Sequence, residues 1–62
     1  MNEYQNIYDL LEQSAIETAS LIHQETNDEA LTQLNKALDN IREAQEAIKK
    51  GGKIVGQPVK GN

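Results

Sequence analysis

The sequence predicts an all-α fold: a two-helix antiparallel hairpin that self-associates into a helical bundle and carries a flexible C-terminal tail. Three observations predict it. Apolar residues recur at three- and four-residue steps through two long stretches, the repeat of one helical face. A short polar segment, His23-Gln24-Glu25-Thr26-Asn27, separates the stretches. After Gly51 the repeat stops, and residues 51–62 hold four glycines and one proline.

The first stretch spans residues 3–25. Asn2 is a candidate cap, with Glu3 in the first turn and Gln5 three residues after the cap. Tyr4, Ile7, Leu11, Ala15, Leu21 and Ile22 share one face, with Ser14 and Thr18 as small polar interruptions. Leu10 widens that face on one side, and Tyr8 with Ala19 widens it on the other. The resulting arc covers about half the helical circumference, against the ~100° stripe of a helix with one neighbour. Ile16 lies outside even that arc. Two helices alone cannot cover such a surface, which is the sequence argument for an oligomer.

The turn is short and polar, as antiparallel neighbours require. One continuous helix of some 45 residues is the rival arrangement. Asn27 and Asp28, poor in helix interiors and good at caps, argue against it.

The second stretch, residues 27–50, is the more regular. Leu31, Leu34, Leu38, Ile41 and Ile48 form its seam, with Gln45 as the one polar interruption. Ala30, Ala37 and Ala44 repeat every seven residues beside it, a flank of small side chains that admits another helix closely. Thr26-Asn27-Asp28-Glu29 fits a capping box, with the Thr26 hydroxyl accepting and Glu29 reaching back. Lys49 and Lys50 in the last turn suit the negative end of the helix dipole, and Gly51 is placed to close the helix in the left-handed conformation. Asp39–Arg42, Arg42–Glu46 and Glu46–Lys50 are spaced to pair on the solvent side, each worth about 0.2–0.5 kcal/mol. The packing residues expected in the hairpin and between copies are Ile7, Leu11, Ala15, Ile22, Leu31, Leu34, Ala37, Leu38, Ile41, Ala44 and Ile48.

Size and composition narrow the function. Below roughly 70–80 residues one hydrophobic core rarely supplies more than about 3–5 kcal/mol, so small chains lean on a disulfide, a metal or a partner. This chain of 62 residues has no cysteine, which removes disulfides and thiolate metal sites together and favours a reducing, cytoplasmic setting. No apolar run has the length of a membrane span, and no signal-peptide pattern follows Met1. The net charge of −4 is unevenly spread: residues 1–35 hold seven acids and no Lys or Arg, while residues 36–62 hold six bases and three acids. An acidic first half argues against a nucleic-acid surface there.

Catalysis is not written into these residues. Without Cys, and with His23 as the single histidine and no Ser–Asp arrangement around it, nucleophilic chemistry has no starting point. The acids lie on polar faces, and the tail glycines lack the strand-then-helix context of a phosphate-binding loop. No enzyme, no cofactor and no metal are expected. Lys49, Lys50, Lys53 and Lys60 place four charges over twelve residues without an acid among them, and Tyr4 and Tyr8 are the only aromatics, one helical turn apart. These six are the candidate ligand or partner contacts, able to attract phosphate and to stack a base.

The expected role is therefore a non-enzymatic interaction or inhibitor module that binds a protein, in the style of the small accessory regulators of phages and plasmids. In outline the self-associating hairpin also resembles the helical-hairpin sponges with which phages trap cyclic nucleotide signals. That resemblance is one of architecture, and it implies an oligomer sequestering a small anionic nucleotide. Nucleic-acid binding through the basic tail is the third reading. Removing residues 53–62 deletes no helical repeat, so helical circular dichroism per helical residue is expected to stay unchanged; unfolding or a changed assembly would show the tail to be docked.

Overall fold

A computed structural model describes residues 3–52. They form two helices, α1 (Glu3–Gln24) and α2 (Asp28–Lys50), packed against each other as an antiparallel hairpin; among the described residues there is no strand. The tail expected beyond Gly52 lies outside the described residues.

Each helix ends within about one residue of its predicted position, and the turn shows why the difference arises. Asn27, rather than Thr26, is the cap of α2. Its backbone is extended (φ −82°, ψ 124°), and its side-chain Oδ1 accepts from the Ala30 amide at 2.8 Å. Glu25, not Glu29, satisfies the Asn27 amide, accepting at 3.1 Å from the end of α1. An Asn side chain at the cap does the work the Thr hydroxyl was expected to do, and asparagine is among the strongest capping residues. Asp28 and Glu29 occupy the first turn, where the dipole favours acids.

The far end of α2 also differs in detail. Gly51 retains a right-handed backbone (φ −75°, ψ −2°), and its amide donates to the Ala47 carbonyl at 3.0 Å. The left-handed residue is Gly52 (φ 70°), whose amide donates to the Lys49 carbonyl at 3.0 Å. Two consecutive glycines let the helix run one residue further before it turns.

The interhelical seam is built from Tyr8, Leu11, Ala15, Thr18, Ala19 and Ile22 of α1 against Leu31, Leu34, Leu38, Ile41, Gln45 and Ile48 of α2, all buried or half-buried. Among the described residues only Ala15 and Gln45 are buried, and no large side chain is wholly covered. This thin core follows from having one neighbour per helix. Of the expected packing set, Ile7 is 47 % exposed and Ala37 and Ala44 are exposed, so in the single hairpin these three stand at the edge of the seam.

The cap assignment is testable. Asn27→Ala is expected to cost about 0.5–2 kcal/mol, the usual loss for a capping side chain. Thr26→Ala, at an exposed position without a capping bond, should stay within about 0.5 kcal/mol of wild type in urea unfolding. The reverse ranking would restore Thr26 as the cap.

Candidate interaction surface

The seam carries one polar cluster, centred on Gln45. This side chain is 4 % exposed, and its amide is satisfied from both ends. Its Nε2 donates to Glu12 Oε1 at 3.1 Å and to the Tyr8 carbonyl at 3.3 Å, while its Oε1 accepts from Arg42 Nη1 at 2.8 Å. Arg42 Nη1 also donates to Glu12 Oε1 at 2.7 Å, closing a triangle across the two helices. Arg42 therefore spans the helices instead of pairing along α2 with Asp39 or Glu46. The side chains of Arg42 and Glu12 remain about half exposed, so the ion pair itself is of the solvent-screened kind worth ~0–1 kcal/mol. Gln45 matters more for register. A slip of the helices would strand its buried amide, at a cost of about 1–3 kcal/mol.

This cluster was not legible as a site. Gln45 reads as a break in an apolar repeat and Arg42 as a solvent-side charge. The available signal was the combination: an amide at a seam position with an arginine one turn before it.

The ion pair also distinguishes the two faces of the hairpin. Residues advance about 100° around a helix axis. On α1, Ile7, Ser14 and Leu21 fall on the opposite side of the seam from Glu12, with Leu10 just outside them. On α2, Ala37 and Ala44 fall on the opposite side of the seam from Arg42. The hairpin thus has a clamped face, crossed by Glu12 and Arg42, and an open face bearing Ile7, Leu10, Leu21, Ala37 and Ala44. Leu10 is 56 % exposed and Leu21 53 %. Ile16, 52 % exposed, stands apart from this group on the outer side of α1 beyond Glu12.

Of the six candidate ligand contacts, four come to the open end of the hairpin, where α1 begins and α2 finishes: Tyr4, Tyr8, Lys49 and Lys50. Tyr8 is half-buried in the seam, Tyr4 is half exposed, and both lysines are exposed. Lys53 and Lys60 lie outside the described residues. His23 is exposed in the last turn of α1, and among the described residues no three His, Asp or Glu side chains gather as a metal would require. No helix of the described residues is long and apolar enough to cross a membrane. No protein-family model, curated protein or solved structure matches this chain.

The polar cluster gives the hairpin a pH dependence. Hydrogen bonds from Gln45, and then from Arg42, hold the Glu12 carboxyl below its ordinary value of 4.5. A depressed folded-state pKa contributes stability that is complete above the unfolded value and is lost as pH falls through the folded one. The stability advantage of wild type over Glu12→Gln should therefore be constant above about pH 5 and shrink on acidification below 4.5. Parallel stability curves for the two proteins through that range would show the carboxylate to be unengaged.

Proposed function

We propose that the chain is a small non-enzymatic binding module that self-associates into a helical bundle and engages a protein partner as an accessory regulator or inhibitor. The observation that carries this reading is the uneven burial of α1. Tyr4, Ile7, Leu10, Ile16 and Leu21 are all about half exposed, on a helix whose seam residues already contact α2. A single exposed apolar residue is ordinary, whereas several on one short helix point to protein contact. Two layers of packed elements are the usual minimum for a stable domain, and this hairpin forms one.

A second reading rests on a different observation. The antiparallel fold brings Tyr4 and Tyr8 to the same end as Lys49 and Lys50, joining stacking groups and cations that lie more than forty residues apart in sequence. That combination suits sequestration of an anionic nucleotide.

Two measurements separate the readings. Tagged wild-type chain should retain a discrete protein from a lysate of its source, and Ile16→Asp, outside the open face, should lose it; light scattering of the wild type at two concentrations should give a mass above that of one chain. Melting in the presence of a cyclic dinucleotide should leave the transition unmoved. A ligand at 100 times its Kd would stabilise by about 2.7 kcal/mol, and such a shift would favour sequestration. A well-folded monomer at micromolar concentration that retains nothing would overturn the binding-module reading.

A further inference from the structure

We propose that the open face is covered by a second copy of this chain, laid antiparallel so that its turn lies over the first copy's open end. The inference deepens the self-association proposed above and rests on it. Three observations select this occupant and this orientation.

The first is self-complementary spacing. A two-fold axis crossing the hairpin at right angles to its helices stacks α1 on the partner copy's α1, running the opposite way. Ile7 and Leu21 stand seven residues before and after Ser14, on the same stripe of α1. With Ser14 at the axis, Ile7 of each copy meets Leu21 of the other, which is the reciprocal pairing an isologous interface requires.

The second is that α2 carries the same symmetry at the same height. The Arg42–Glu12 and Gln45–Tyr8 bonds fix the register of the hairpin and set Ser14 about level with Asp39 and Asn40. The midpoint of Ala37 and Ala44 falls between Asn40 and Ile41, about one residue from that level. One axis therefore serves both helices, with Ala37 of each copy meeting Ala44 of the other. Methyl groups on the α2 side allow close approach, and Ile7, Leu10 and Leu21 fill the wider gap on the α1 side.

Charge supplies the third. The turn end carries Glu25, Asp28 and Glu29. Turn stacked on turn would set three acids against three. In the antiparallel arrangement those acids meet the open end, where Lys49 and Lys50 balance Glu3 and Glu46. The clamped face offers no comparable surface, because Glu12 and Arg42 cross it.

The chain has no cysteine, so single cysteines report proximity cleanly. Ser14→Cys and Thr26→Cys would be treated separately with a short bis-maleimide and resolved on a denaturing gel, alongside light scattering of each untreated protein. The expected result is a cross-linked dimer from Ser14→Cys and single chains from Thr26→Cys. Cross-linking at Thr26 would place turn on turn and overturn the orientation. A dimer by scattering with no cross-link at Ser14 would overturn the face while leaving self-association standing. Single-chain mass for both untreated proteins, with wild-type helicity, would overturn the inference and self-association together. Ala37→Leu and Ala47→Leu serve as a second pair: the first should lower the melting temperature or change the assembly, and the second, exposed on the outer edge of α2 away from the seam, should do little. Equal tolerance of the two would also overturn the proposed face.

Discussion

A hairpin of two helices has one seam in which to bury apolar surface, and here that seam is narrow enough that, among the described residues, Ala15 is the only apolar one fully covered. Every other feature answers to this constraint. The larger seam residues, from Leu11 and Ile22 to Leu34 and Ile41, are shielded from one side only. Their contribution is correspondingly a fraction of the ~1.5–3 kcal/mol that complete burial of such side chains yields. Specificity cannot then come from jigsaw packing alone. It is supplied by the Gln45 cluster, in which one buried amide finds all its partners in one register of the helices.

The same constraint sorts the apolar residues of α1 into two sets. Its apolar arc covers about half of the helix circumference, and α2 takes only the part nearest Ala15. What remains is not scattered. Ile7, Leu10 and Leu21 lie on the face that also bears Ala37 and Ala44, and the opposite face is occupied by charge. A ribbon with one charged face and one face of apolar and small side chains is the form that supports layering, which is why the proposed function is binding rather than chemistry.

Much of the fold could be read from residue spacing. The two helices, the polar turn and the antiparallel order follow from the seam residues and from Gly51, since a 3.6-residue repeat and a helix terminator are local properties. The details that escaped are those decided by competition between neighbours. Thr26 and Asn27 both have capping side chains, and the backbone geometry of the turn gives the role to Asn27. Arg42 has acids at suitable spacing on its own helix, yet Glu12 across the seam and Gln45 one turn further along α2 engage it together. Ile7, Ala37 and Ala44 share a helical arc with true seam residues, and only the crossing geometry shows which edge of that arc the neighbour leaves uncovered. The ligand-contact candidates Lys53 and Lys60 are not placed by the described residues.

The position of the Gln45 cluster has a consequence for how the hairpin opens. The turn fastens the helices covalently at one end, and the Tyr8–Glu12–Arg42–Gln45 bonds latch them near the other. Between these two fastenings lie Ala15 and most of the seam, while the first turn of α1 and the last of α2 extend past the latch. Fraying that starts at the free ends thus meets a barrier before it reaches the middle of the molecule. Amide exchange would divide accordingly, with fast-exchanging ends outside the latch and a central zone that exposes its hydrogen bonds only when the latch gives way.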